Sequence, residues 1–319
     1  MESDFQGSST SIPTSLDLTK EGIRLVSLTF GVTLYTNALF SEIPESVLKC
    51  FEKFLKLCPP EQLHFYATTN MRIHKPVTKR TFGMLKTWLN PGAPPMEYLD
   101  LEMKEGEVYQ DAPKFKFNVC AGEKGSVRYK SKHANLISMA FPPEWGLKRT
   151  EEMFQFVSEL CSLFPFQSGH AGFSFECSRY AEKESQTYAW QKSMRHRGID
   201  ICRMPVDAKA VGQDAMKGVG WLTILGKLFV ERFGGVKDLR NALAKDIEVI
   251  ELPGGIILRA GPSPMLGDTN RGEHLPLYKN VYAMISPLVD IAAKRSMSFN
   301  LVDKYVERTE AWYRRFSDE

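Results

Sequence analysis

From Arg24 onward apolar and polar residues alternate strictly, with Val26, Leu28, Phe30, Val32 and Leu34 on one face and Ser27, Thr29, Gly31 and Thr33 on the other. A period of two predicts a long half-buried strand. The period then changes. Behind Pro44 and Glu45, Val47, Leu48, Phe51, Phe54 and Leu55 recur at helical spacing up to Cys58 and the stop Pro59-Pro60, which predicts a helix with proline in its first turn. Leu63 to Ala67 predicts a second strand, and Thr78 to Leu89 a short helix ended by Asn90-Pro91-Gly92. Tyr98 to Met103 and the alternating Phe115, Phe117 and Val119 predict a hairpin.

Asn135 to Phe141 reads as a strand stopped by Pro142-Pro143. Thr150, with Glu151 and Glu152 in the first turn, opens a helix whose apolar stripe is Met153, Val157, Leu160, Cys161 and Phe164, as capping and the helix dipole favour. Ala171, Phe173, Phe175 and Cys177 then alternate with Gly172, Ser174 and Glu176. The most sharply punctuated unit follows, an apolar run from Gly218 closed by Gly226, continuing through Phe229, Val230 and Phe233 to Gly234-Gly235. It predicts a buried strand turning into a helix that the glycine pair ends. Ile247 to Leu252 and Ile256 to Ala260 predict a hairpin across Pro253-Gly254-Gly255, and Tyr278 to Ile285 a helix that stops at Pro287. Val302, Tyr305, Thr309, Trp312, Tyr313 and Phe316 share one side of a last helix.

Runs of strands broken by single helices predict an α+β fold, with mixed, mainly antiparallel sheets, helices packed on them, and two similar-sized lobes in one compact body. The expected divisions are a flexible Ser- and Thr-rich tail at 1–18, an N-terminal lobe at 19–125 and a C-terminal lobe at 126–319, joined near the polar segment 121–133.

A chain of 319 residues is near the limit for one core. Its 41 basic and 38 acidic residues leave a net charge of +3, mild for a dedicated nucleic-acid binder. The N-terminus lacks a basic segment followed by an apolar one, and no uncharged apolar run reaches membrane-spanning length, so a cytoplasmic protein is expected. Cys50, Cys58, Cys120, Cys161, Cys177 and Cys202 include no Cys-x-x-Cys pair and read as reduced core thiols.

Catalytic patterns are missing. There is no Gly-x-Ser-x-Gly elbow and no His-Glu-x-x-His among the six histidines, so no catalytic residue, metal or cofactor is expected. Gly220, Gly226 and Lys227 imitate a phosphate loop superficially, but five residues separate the glycines and Leu228 stands where a hydroxyl is needed. Charge is patchy. Glu97, Asp100, Glu102, Glu105, Glu107 and Asp111 form an acidic run, and Lys114, Lys116, Lys124, Arg128, Lys130 and Lys132 a basic one. These read either as a solvated hairpin or as a docking surface whose acidic part steers a basic partner.

The motifs become informative as an ordered set: Arg197-Gly198-Ile199-Asp200, Gly220-Trp221-Leu222-Thr223-Ile224-Leu225-Gly226, Phe233-Gly234-Gly235, Leu258-Arg259-Ala260-Gly261-Pro262-Ser263-Pro264 with Gly267-Asp268, then Leu277-Tyr278 and Leu288 after Pro287. Phe141-Pro142-Pro143-Glu144-Trp145 and Gly169-His170-Ala171-Gly172 fit more loosely. Together they resemble the TsiV-type immunity family of type VI secretion, over roughly residues 130–295. The resemblance implies a bacterial, cytoplasmic protein that neutralises a cognate antibacterial effector, expected to be a nuclease, by protein contact and without catalysis; a homodimer is compatible with it.

On that reading Trp221 is a core aromatic, Gly226, Gly234 and Gly235 are turn and cap positions, and Arg259 pairs with Asp268 to orient the loop 260–268. Candidate effector contacts are an acidic patch of Glu102, Glu105, Glu107 and Asp111, and the proline-stiffened loop residues Ser263, Met265 and Asp268. Two other classes make different demands. A Cys/His hydrolase requires a deep pocket holding a hydrogen-bonded acid-base pair. A nucleic-acid binder requires 114–132 and 192–203 to merge into one basic face.

Overall fold

A computed structural model describes residues 16–94 and 96–317. Most of the expected tail, 1–15, lies outside the described residues, but Leu16 is buried and Leu18 opens a strand, so 16–18 belong to the folded body.

Every strand among the described residues joins one sheet. In chain order these are β1 Leu18–Lys20, β2 Ile23–Thr36, β3 Phe65–Thr68, β4 Lys75–Pro76, β5 Tyr98–Lys104 and β6 Lys116–Gly122. They are followed by β7 Asn135–Phe141, β8 Ser168–Cys177, β9 Asp200–Ile201, β10 Leu222–Gly226, β11 Ile247–Leu252 and β12 Gly255–Ala260. The spatial order is β11-β12-β10-β8-β2-β7-β6-β5-β3-β4, with β1 beside β2 and β9 beside β8. All pairs are antiparallel except β8 with β9. The fold is therefore α+β and mainly antiparallel, as the patterning predicts. The sheet runs unbroken across the expected boundary at residue 125, because β2 lies between β7 and β8.

The first helices are α1 Pro44–Leu57, α2 Lys79–Phe82, α3 Met84–Trp88, α4 Val127–Lys130, α5 Trp145–Lys148 and α6 Thr150–Leu163. The others are α7 Glu182–Arg195, α8 Met204–Val211, α9 Lys227–Arg232, α10 Val236–Ala242, α11 Pro276–Arg295 and α12 Tyr305–Tyr313. Helices α1 and α6 bury Val47, Phe51, Phe54, Val157 and Leu160 in the same core as Leu28, Phe30, Val32 and Leu34 of β2. The other face is covered too. Helix α7 packs on β2 and β8, α8 on β6 and β7, and α11 and α12 close over these helices.

That second layer corrects the expectation of a half-buried β2, since Ser27 and Thr29 are fully buried. Small residues make the double cover possible. A Cβ at Gly31 would stand 2.8 Å from the Cβ of Ser174, closer than such atoms approach.

Helix α11 runs straight through Pro287, where the sequence predicts a stop. The ring leaves the Ala283 carbonyl without its backbone donor. Ser286 Oγ supplies a replacement at 3.2 Å, and the buried flanks Ile285, Leu288 and Val289 hold the turn in the core. Among the described residues no helix is long and apolar enough to cross a membrane.

Candidate functional site

The polar face of the sheet is not solvent. Where β3, β5, β6 and β8 meet the start of α7 and α8 it opens into a cavity of about 500 Å³, with Glu102, Lys116, Glu176, Arg179, Gln186 and Arg203 in its walls. Alternation puts these side chains there. Phe117 and Val119 face the core, so their neighbours Lys116 and Asn118 face the cavity.

Most of the charges are already engaged. Lys116 Nζ is hydrogen-bonded to Glu176 Oε2 and lies 3.5 Å from Cys202 Sγ. Burial opposes the charge on Lys116, but Cys202, Glu176 and Glu102 around it together outweigh burial and hold the ammonium protonated. Arg128 donates to both oxygens of Asp100 at 2.5 and 2.8 Å. Arg203 lies 3.7 Å from Glu182 and donates to Ser298 O. Lys116 and Arg128 thus point into the cavity and contribute nothing to a continuous basic face. Burial pushes the Cys202 thiol up to about 12.

Glu102 is held by Asn118 Nδ2 at 3.2 Å and by His74 Nε2. Tyr180 OH accepts from the His74 backbone N–H at 2.9 Å and meets His74 Nδ1 at 2.8 Å. One neutral tautomer satisfies every bond, with Nε2–H donating to Glu102 and Nδ1 accepting from the tyrosine hydroxyl. Burial accordingly holds His74 below its usual value near 6.5, outweighing the opposing pull of Glu102. The unfolded chain takes up a proton that the folded histidine refuses, so this contribution is present above about pH 6.5 and is lost as pH falls. The melting temperature is expected to drop between about pH 7 and 5, and His74→Gln to flatten that drop; an unchanged slope in thermal melts would place the titration elsewhere.

The expected acidic patch is not one exposed patch. Asp111 is buried and accepts from the backbone N–H groups of Arg24 and Glu107, both at 2.9 Å. Glu105 pairs with Arg24 at 2.7 Å and accepts from Lys114 N. Both fix the turn between β5 and β6, Glu102 lines the cavity, and Glu107 alone of the four is exposed. Loop carboxylates that cap backbone donors look identical, in sequence, to solvated ones.

The glycine-punctuated unit is the strand β10 and helix α9. Trp221 is fully buried, meets Phe30 edge-on at 6.1 Å and donates Nε1–H to Gly261 O at 2.9 Å. A Cβ at Gly226 would meet Gln167 O at 2.5 Å, and Gly234 and Gly235 take φ of 86° and 89°, a region that favours glycine. Arg259 and Asp268 do not pair. Arg259 reaches Glu151 at 3.2 Å, Glu248 at 3.6 Å and Pro262 O at 3.1 Å. Asp268 instead takes a two-pronged bond from Arg195 at 2.7 Å, which brings its carboxyl down to about 2. Arg259 on β12 reaches Glu151 of α6 and Glu248 of β11, whereas Asp268 is taken by Arg195 at the end of α7. Backbone bonds from Arg197 N to Gly267 O and Gly198 N to Leu266 O then staple the loop to 197–198. Within it Met265 is exposed, Ser263 half-buried and Asp268 buried.

The motif residues therefore form one connected structure, and the comparison with known proteins reads the same stretch. Residues 46–316 match the family described as TsiV, type VI immunity for VRR-NUC. The chain belongs to the TsiV family. The match reaches well upstream of the motifs, to α1. A solved structure of the Pseudomonas aeruginosa T6SS protein PA0821 has the same fold, with a TM-score of 0.78 at 17% identity over 97% of this chain and 88% of that one. No curated protein matches. In this TsiV chain the Phe141–Trp145 motif is a stacked aromatic pair at 5.4 Å.

A buried polar network escaped the sequence reading. Lys217 Nζ donates to Asp200 at 2.9 Å, Asp207 at 2.8 Å and Ile201 O at 2.6 Å, and His170 Nε2 lies 3.1 Å from Asp200. Nothing in the local pattern separates these charges from surface ones; only their shared position under α11 and α12 does.

Proposed function

We propose that this protein neutralises a cognate type VI effector carrying a VRR-NUC nuclease domain, by direct contact in the cytoplasm of the producing bacterium. The observation that carries the reading is the family match over residues 46–316, whose description pairs the fold with that nuclease class. Within the family the motifs point toward the kind of protein represented by TsiT, the partner of the nuclease effector TseT. The cavity does hold a hydrogen-bonded acid-base pair, Glu102 with His74, of the kind a hydrolase requires, but the chemistry around it supports a non-enzymatic role. The Cys202 thiol is pushed up to about 12, away from the thiolate that nucleophilic catalysis needs at neutral pH, and His74 has spent every ring hydrogen bond.

The test is co-expression. A toxin encoded next to this gene should arrest growth and degrade DNA when expressed alone, and this chain should restore growth and form a complex with it. Continued DNA degradation in the presence of a stable, soluble chain would overturn the proposal.

A further inference from the structure

The cavity has donor capacity that the chain itself does not use. Asp100, Glu102, Glu176 and Glu182 each have an internal partner in Arg128, His74, Lys116 and Arg203. The donors are less fully spent. Gln186 is 2% exposed; its Oε1 accepts from Leu301 N at 3.2 Å, while its Nε2 has no partner. Arg179 is exposed, lies over the Tyr180 ring at 5.5 Å, and has no ion-pair partner among the described residues. A buried amide left unbonded is costly to a free protein, and an uncommitted guanidinium in the walls of the same cavity suits a carboxylate.

Exposed apolar side chains stand close in sequence to residues of the cavity or to their hydrogen-bond partners. Val127 and Tyr129 flank the cavity residue Arg128. Ile73 precedes His74, which is bonded to Glu102 of the wall. Leu301 is bonded to Gln186, and Tyr305 and Val306 follow it. Exposed apolar side chains of this kind are a feature of interaction surfaces.

We propose that this cavity is the receptor for an acidic side chain of the effector, an Asp or Glu on a protruding loop, whose carboxylate bonds Arg179 in the walls that also hold the unspent Gln186 amide. The inference rests on the immunity reading and deepens it. It also reverses the polarity read from sequence, in which the acidic group belonged to this chain.

The experiment measures binding of the full chain to a catalytically inactive form of the effector identified by the co-expression test. Arg179→Glu should raise Kd at least about tenfold, with Arg179→Lys, which keeps the charge but not the planar fork, falling between Arg179→Glu and the native chain. Val206→Trp, which fills the cavity from the half-exposed Val206, should weaken binding to a similar degree. Leu228→Asp, on exposed α9 away from the cavity walls, should leave Kd unchanged. Equal melting temperatures confirm that the variants are folded. If the native chain does not bind the effector, the immunity reading fails. If the native chain binds and Arg179→Glu and Val206→Trp bind equally well, the cavity proposal alone fails. A single-stranded DNA oligonucleotide that binds the native chain and competes with the effector would also overturn it.

Discussion

Replacing Lys217 with methionine should destabilise the protein by about 3–5 kcal/mol, because it leaves two buried carboxylates without their common counter-ion. Asp200 and Asp207 both bond the ammonium, at 2.9 and 2.8 Å, and Lys217 is 3% exposed. Burial disfavours the charge on Lys217, and the two aspartates more than offset it, so the ammonium is held protonated. Urea unfolding measures the effect. Adding Asp207→Asn to Lys217→Met should recover part of the loss, since one of the stranded charges is then removed. A loss below about 1 kcal/mol for Lys217→Met would mean that water reaches these carboxylates after all. The network ties the 200–207 segment beneath α11 and α12, so the same variant should also loosen the α8 wall of the cavity.

Trp221→Ala is expected to cost about 3–5 kcal/mol, the range for emptying a fully buried large aromatic site. More is lost than ring volume. The indole N–H holds Gly261 O, and the ring face carries the Arg259 guanidinium at 5.3 Å. Trp221→Phe separates these contributions: it keeps an aromatic ring but removes the hydrogen bond, so about 1 kcal/mol of its loss is assigned to that bond. Hydrogen exchange at the amides of Arg197 and Gly198, which donate to Gly267 and Leu266, should quicken in both variants if Trp221 anchors the loop. Unchanged protection there, with stability lowered, would confine Trp221 to filling space.

Much of the architecture was legible because it follows from local periodicity. The alternation from Val26 to Leu34, the helical stripe from Val47 to Phe54 and the punctuation at Gly226 and Gly234-Gly235 each match the element observed. The stop at Pro287 failed because a side chain, Ser286, and the surrounding core compensated what proline removes. Half-burial of β2 failed because periodicity reports which residues differ in polarity, not whether a second helical layer covers the polar ones.

The candidate site was far less legible. Glu102, Glu105, Glu107 and Asp111 form a charge run along the chain, yet in space two cap a turn, one lines a cavity and one is exposed. Arg259 and Asp268 are nine residues apart, and each found its partner elsewhere, on 151 and 248 in one case and on 195 in the other. Gln186 and Arg179 attract no notice in a polar helix entry.

The sequence by itself determined most of the longer strands, the helices with a clear apolar stripe, the mainly antiparallel α+β class and the family, since these depend on spacing along the chain and on an ordered set of glycine, proline and aromatic positions. Tertiary structure alone decided which charges meet. Ion pairing acts over a few ångströms between residues as much as 164 positions apart, as with Lys20 and Glu184, and partner choice is fixed by the sheet order and by what the second helical layer encloses. The glycine-punctuated strand is scaffold, and the polar cavity lies apart from it, walled by residues of β3, β5, β6, β8, α7 and α8.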